Sequence, residues 1–321
     1  MSPATLDGFV RRLGPIPLWI AAAAVVLTVI FGDLPGNTQY MAVLQNGCHA
    51  PAFAVLSLIG QVLLTKRVRP ALARALTVVL AMVLVGIATE GVQSLIGRDA
   101  ELEDVSNDLA GAAGGMALWL NWQWRRRTDT SARIGRIAGL VVCAAAAAYW
   151  LLPLAQCAQA YWERWTQFPV LAQFRSPRDL YFVSSSGTDT RIVAVGPHDG
   201  GLALQTVLDS GPWPGITLFE LMPDWRGYHR LEVDLSNAGQ TALPLNLRVN
   251  DRAHRGETDD RFNLELVLQP AERRTLSIPL ESIASSPRSR RMDMSQISQL
   301  ILFRGGGAPN QVVRLHRIWL E

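Results

Sequence analysis

Charge is scarce in this sequence. Asp, Glu, Lys and Arg make up 18% of its 321 residues, and the net charge is only +3. So small a basic excess excludes a nucleic-acid surface, which needs a clustered positive field. Cysteine is scarcer still: Cys48, Cys143 and Cys157 are the only three, with no CxxC and no zinc-type spacing. A thiol-rich metal module is thereby excluded. Cys143 lies inside an apolar run, so at most Cys48 and Cys157 pair outside a membrane. The sequence also has no phosphate-cradling glycine loop, no HExxH, no GxSxG and no internal repeat. Gly305-Gly306-Gly307 falls between β-rich runs and reads as a turn. No catalytic residue, cofactor or metal is assigned on this basis. Glu257, Asp259 and Asp260 are of calcium-binding type, but acidic loops are too common to carry a site.

What is present is a split chain. The first half is built from Ala, Leu and Val runs, and the second has ordinary soluble composition. Five apolar segments stand out: Ile16–Gly32, Ala50–Thr65, Ala75–Thr89, Leu109–Trp124 and Ile137–Ala155. A spanning helix needs about 20 residues, so the polar residues bordering the shorter runs sit at or inside the interface. The first run follows Arg11-Arg12, but its core exceeds the ~7–15 residues of a signal peptide. Asp33-Leu34-Pro35, rather than a small-residue cleavage site, follows it.

Basic residues alternate between loops. Arg11 and Arg12 precede the first run; Lys66, Arg67, Arg69 and Arg74 follow the second; Arg125, Arg126, Arg127, Arg133 and Arg136 follow the fourth. The loops Asp33–His49 and Glu90–Asp108 hold a single basic residue, Arg98, among several acids. The positive-inside rule then makes the N-terminus cytoplasmic, and five crossings deliver the C-terminal half outside. Trp119, Trp122 and Trp124 mark the inner interface, and Tyr149 and Trp150 the outer one.

From about Phe168 short β-rich runs recur, among them Leu202–Leu208, His229–Leu235, Leu245–Asn250 and Thr275–Leu280, with an earlier one at Leu180–Ser184. Turns such as Asp199-Gly200-Gly201 and Ser210-Gly211-Pro212 separate them, which predicts an antiparallel sandwich or barrel. Between the halves, Gln156–Gln167 carries Tyr161, Trp162 and Trp165 among polar residues and reads as an interfacial joint. The expected organisation is multidomain: an all-α bundle of five transmembrane spans over residues 1–155, a linker at 156–167 and an all-β sandwich over 168–321.

The outward ends of the spans hold His49, Glu90, Gln93, Arg98, Asp104 and Asp108. Glu90 and Gln93 share a helix face, and Asp104, Asp108, Gly111 and Gly115 follow i, i+4, i+7, i+11 on another. An acidic row thus continues into a small-residue row through which a second helix approaches closely. Ionisable groups at membrane depth mark functional sites by default, and the set reads as one polar pocket with Arg98 paired to an acid. Taken singly, each residue also reads as a solvated helix end.

The motif Glu90-x-x-Gln93, Gly97-Arg98, Asp104-Val-Ser-Asn-Asp108-Leu-Ala-Gly111, with a histidine upstream, resembles the VanZ family. The resemblance covers about residues 33–124. It implies a helical membrane domain and a link to glycopeptide (teicoplanin) resistance. Asp108 stands where the family usually has Asn, and Gln45-Asn46-Gly47-Cys48 lacks the lysine often found before its histidine. The segment 168–321 resembles galactose-binding-like jelly rolls, particularly family 11 carbohydrate-binding modules. The residues that carry this are Tyr228–Leu235, Leu247–Asp251, Asp260–Asn263, Thr275–Leu280 and Met292–Ile297. The resemblance implies sugar binding, for which Trp213, Trp225 and Tyr228 offer rings and Asn250, Arg252 and His254 offer polar groups. The plain alternative is a structural sandwich with its tryptophans in the core.

The combined expectation is a bacterial inner-membrane protein whose periplasmic sandwich binds an envelope polysaccharide or lipid-linked saccharide. Its partners are then the lipid bilayer and that glycan, with no nucleic acid. Two alternatives stand beside it. One is an intramembrane enzyme on a lipid-linked substrate, with His49 or Glu90 as general base and Arg98 holding a phosphate or carboxylate. The other is a docking module of an envelope complex. The charge pattern predicts that reporter fusions after Arg69 and Arg127 read cytoplasmic and fusions after Leu102 and Glu321 read external. A cytoplasmic C-terminus refutes the five-span reading.

Overall fold

The computed structural model describes residues 15–32, 34–95, 102–196 and 201–321. The chain divides into two compact units, Met1–Gln156 and Cys157–Glu321.

The first unit is helical: α1 (Ile16–Phe31), α2 (Gln39–Gly47), α3 (His49–Leu64), α4 (Ala71–Leu95), α5 (Leu102–Trp124) and the larger part of α6 (Thr130–Gln167), whose residues from Cys157 onward belong to the second. Thr38 starts α2 by accepting the Met41 N–H on its side chain, the usual way to satisfy a first-turn donor. Cys48 keeps helical angles between α2 and α3, so Gln39–Leu64 forms one apolar stretch. That stretch, Ala73–Leu95 and Thr130–Gln167 are the three helices among the described residues long and apolar enough to cross a membrane. The expectation was five. At 16 residues α1 is short, and α5 opens on Leu-Glu-Asp-Val-Ser-Asn-Asp, where acids interrupt the apolar pattern.

Two local expectations also change. The segment Gln156–Gln167, read as a separate joint, is helical and continuous with α6. Arg74, read as a loop cation, is buried in the first turn of α4. It donates to the Gln61 side chain and the Val68 carbonyl oxygen, each at 3.2 Å.

A core of Phe53, Leu56, Val78, Met82 and Ala112 joins α3, α4 and α5. The closest approach is between α3 and α5. A Cβ on Gly111 would lie 2.0 Å from the Ala50 carbonyl oxygen, and one on Gly115 would lie 2.4 Å from that of Ala54. Both pairs repeat every four residues, so the glycine ridge of α5 runs along the backbone of α3 for a full turn.

The second unit is an antiparallel β-sandwich. Its strands are β1 (Val170–Ala172), β2 (Val183–Ser186), β3 (Thr188–Ala194), β4 (Leu202–Leu208), β5 (Gly215–Phe219), β6 (Arg230–Asn237), β7 (Leu243–Asp251), β8 (Phe262–Leu268), β9 (Arg273–Pro279), β10 (Ile297–Phe303) and β11 (Gln311–Leu320). One sheet runs β3-β4-β11-β6-β9 with β1 also on β11; the other runs β2-β5-β10-β7-β8. Most connections therefore cross between sheets, as in a jelly roll. Period-two alternation puts Leu231, Val233 and Leu235 of β6 inside, against Leu243, Leu245, Leu247 and Val249 of β7.

The expected strand Leu180–Ser184 begins instead as a 3-10 turn, Pro177–Phe182, and becomes strand only at Val183. Ser176 and Asp179 close a reciprocal capping box around Pro177, a start signal that overrides the β-type residues after it. The glycine run is a turn, as read, with Gly306 and Gly307 at φ of 66° and 125°. It wraps the fully buried Arg304, whose guanidinium donates to the Ala308 and Asp209 carbonyl oxygens and to Gln311.

The α3–α5 contact predicts that Gly111→Ala and Gly115→Ala each lower thermal stability of the detergent-solubilised protein by several degrees. Gly91→Ala, where nothing lies within 4 Å of the added carbon, should be neutral or stabilising, because alanine favours a helix by about 0.5–1 kcal/mol. Equal melting of Gly111→Ala and wild type refutes the contact.

Candidate functional site

Two sites take shape, one in each unit. In the first, α3 starts at His49, so its ring projects where α5 begins. The ring is buried, with Nδ1 3.1 Å from Asp108 Oδ1 and Nε2 3.9 Å from Asp104 Oδ2. Glu90, on the last turns of α4, joins them. One ligand-type atom each from His49, Glu90 and Asp104 lies within 4.8 Å of the others. All four residues are buried.

Gly86 makes room for this. It sits one turn before Glu90, and a Cβ on it would come 2.8 Å from Asp108 Oδ2. Gln93 turns aside, donating to the Val29 carbonyl oxygen of α1 at 3.1 Å. The structure thus brings together His49, Glu90, Asp104 and Asp108, with Gln93 beside them; Arg98 lies outside the described residues. The expectation of no metal rested on spacing along the chain, which cannot register a set drawn from three helices.

Beside this cluster is a cavity of about 760 Å³. Ala24, Val25, Val29 and Val55 give it apolar walls, and His49, Gln93 and Asp104 make its polar end. That polarity is what an amphiphile with a hydrophilic head requires.

The second site is the outward face of the sheet β2-β5-β10-β7-β8. Cross-strand register lines up Ser184, Thr217, Ile301, Arg248 and Asn263 in one row, and Phe303, Asn246 and Glu265 in the next. Trp213, 64% exposed, meets Phe303 edge to face at 5.9 Å. It lies over Gly305, where a Cβ would stand 3.0 Å from its ring. The Arg248 guanidinium sits 4.6 Å over the Phe303 ring and donates to Asn263 Oδ1 at 3.3 Å. Burial, and then neighbouring Arg261, pull the Arg248 guanidinium below the usual arginine range. An exposed ring, a cation and planar amides therefore share one face. Sequence reasoning missed Arg248 and Phe303; strand alternation around Trp213 was the signal available.

Trp225, expected as a sugar platform, is a correction. It is fully buried, donates from Nε1 to the Met222 carbonyl oxygen at 2.9 Å, and has no open ring face. Tyr228 is half-buried and packs edge to face on Phe168 at 5.4 Å. Asn250 is buried in the row of Gln299 and Phe219. Arg252 is exposed, away from any ring contact among the described residues.

His254, Asp251 and Asp260 of the 250–263 loop are absorbed structurally. Arg290 bridges Asp251 and Asp260, whose side chains are 0% and 9% exposed. His254 Nδ1 lies 3.0 Å from the Asp260 carbonyl oxygen, and the Arg255 N–H donates to the Asp260 carboxylate. With Asp251 and Asp260 committed to Arg290, this part of the loop is a clamp.

No family model matches the chain, and no curated protein matches it in sequence. Among solved structures it is similar to the family 11 carbohydrate-binding module from Clostridium thermocellum in complex with a β-1,3-1,4-mixed-linked tetrasaccharide. That likeness has 14% identity and a TM-score of 0.37, covering 47% of this chain and 93% of that one. It is also similar to CBM28, a module specific for non-crystalline cellulose, at 11% identity and a TM-score of 0.35 over 47% and 92% of the two chains. TmCBM61 in complex with β-1,4-galactotriose is similar at 14% and 0.32, over 48% and 95%.

The clamp has a pH signature. The Arg290 hydrogen bond first, and the Arg255 N–H with it, hold the Asp260 carboxyl below its ordinary value. A depressed folded pKa contributes stability above the unfolded value of about 3.9 and loses it as pH falls through the folded one. Arg290→Leu should therefore lower the Tm of the sandwich (residues 168–321) by about 5 °C or more at pH 7, and the gap should narrow by pH 3. A gap independent of pH refutes the clamp.

Proposed function

We propose that this chain is a VanZ-like, five-span inner-membrane protein whose periplasmic sandwich binds an envelope glycan or the saccharide of a lipid-linked precursor. The proposed boundaries are residues 1–155 for the membrane domain and 168–321 for the sandwich. In this reading α1 and α5 complete the five crossings. α1 buries only Ile30 and exposes Ile16, Ile20, Leu27 and Phe31 along one face, while Ala22, Val25 and Val26 pack against the helical core; an exposed apolar face of this kind is suited to lipid. The alternating basic loops set the orientation, N-terminus inside and C-terminal unit outside.

The observation that carries the glycan reading is the Trp213–Phe303–Arg248 face. A sugar ring offers C–H groups on one face and hydroxyls at its edge. Trp213 supplies the flat apolar surface, and Arg248, Asn246 and Asn263 supply edge donors and acceptors. On the opposite sheet Arg273 is paired to Asp234 and Arg230 bonds Glu232 and Ser277, and the cation stacked there, Arg317, lies over Trp319, a ring less exposed than Trp213.

A second reading, an intramembrane enzyme, draws on the buried His49–Asp108 pair at the polar end of the cavity. Turnover of a lipid-linked substrate that disappears in His49→Ala while folding persists would favour it.

A glycan array probed with residues 168–321 tests the leading reading. Trp213→Ala and Arg248→Ala should each weaken binding about tenfold, roughly 1.4 kcal/mol, without changing the melting curve. Trp225→Ala should instead cost about 3–5 kcal/mol of folding stability. Binding that survives both Trp213→Ala and Arg248→Ala removes this face from consideration.

A further inference from the structure

We propose that His49, Glu90 and Asp104 form a site for one divalent first-row cation, of the Zn²⁺ or Mn²⁺ class, at the polar end of the membrane cavity. The three residues come from α3, α4 and α5, and each is buried. Their ligand-type atoms lie within 4.8 Å of one another. Two bonds of ~2.1 Å to a shared ion set a limit of about 4.2 Å between ligand atoms, so the side chains must draw closer to hold one. One imidazole nitrogen with carboxylate oxygens suits zinc or manganese. Calcium prefers about 6–8 oxygens.

A second, independent feature points to an ion. Metal-bound histidines almost always donate their other ring N–H to a carboxylate or carbonyl, which fixes the tautomer. Asp108 holds that place: its Oδ1 is 3.1 Å from His49 Nδ1. A neutral ring donating there presents the lone pair of Nε2 on the side of Asp104. Asp108 is itself 2% exposed, and its Oδ2 has no hydrogen-bond partner among the described residues. It is a positioning residue, seated where Gly86 lacks a side chain. His49 and Asp104 also line the 760 Å³ cavity, so the remaining coordination position opens toward whatever polar group enters it. This site is independent of the glycan reading, since metal binding is measured with no saccharide present.

The test uses the full, untagged chain in lipid nanodiscs, stripped with chelator and titrated with Zn²⁺ or Mn²⁺ alone. One ion per chain is expected, with an X-ray absorption spectrum showing imidazole nitrogen and oxygen at ~2.0–2.2 Å. His49→Ala and Asp104→Asn should abolish stoichiometric binding, and Asp108→Asn should weaken it by about 10–100-fold. Cys48→Ser, one residue before His49, should change nothing. Absence of a stoichiometric ion overturns the proposal, as does sulfur in the coordination sphere or binding that survives both His49→Ala and Asp104→Asn. Should a variant misfold, the wild-type spectrum decides alone: a sphere without imidazole overturns the site.

Discussion

The helical unit depends on how closely α5 approaches α3. Gly111 and Gly115 lie against the carbonyl groups of Ala50 and Ala54, and any side chain there would separate the two backbones. Asp108 is three residues before Gly111 and Asp104 one turn earlier, on the same helical face. His49 immediately precedes Ala50. The contact that seats Gly111 on Ala50 therefore also places His49 against Asp108 and Asp104. Burying a histidine with three acids is costly unless each finds a compensating group. A backbone contact without flexible side chains is a rigid way to hold such a set together.

The sandwich separates stability from recognition by sheet face. Its inner faces are aliphatic and closed around Trp225. One outer face uses its charges within itself, through Arg273–Asp234 and Arg230–Glu232. The loop above the sandwich does the same through Arg290 with Asp251 and Asp260. The β2-β5-β10-β7-β8 face leaves a large ring, Trp213, in solvent next to a cation, Arg248, that is stacked rather than ion-paired. Charge pairs satisfied internally have little left for a ligand; Trp213, Arg248 and the adjacent amides retain open surface and open donors.

The helical half and the β half were legible in the sequence because burial writes local periods: continuous apolar runs where a helix meets apolar surroundings, and period-two alternation where one sheet face meets a core. The face from Asp104 to Gly115 was legible for the same reason, since its i, i+4, i+7, i+11 row needs only a helix to form. Element ends were less so. The first turns of α5 are acidic and read as loop, although packing against α3 holds them helical. Leu180–Phe182 read as the start of a strand, although the capping box at Ser176 and Asp179 makes it the end of a 3-10 turn.

What the sequence alone determined is therefore the part carried by neighbours in the chain: two kinds of unit, the helix faces and the acidic row. What only tertiary structure decided is the part carried by residues far apart. Trp213 and Trp225 sit in similar turn-rich, polar stretches, and nothing local says that one ring closes the core while the other lies open over Gly305. The cluster of His49, Glu90 and Asp104 likewise exists only once three helices pack. Its members are tens of residues apart in the chain, and a coordination-sized spacing is a distance in space that no interval along the backbone encodes.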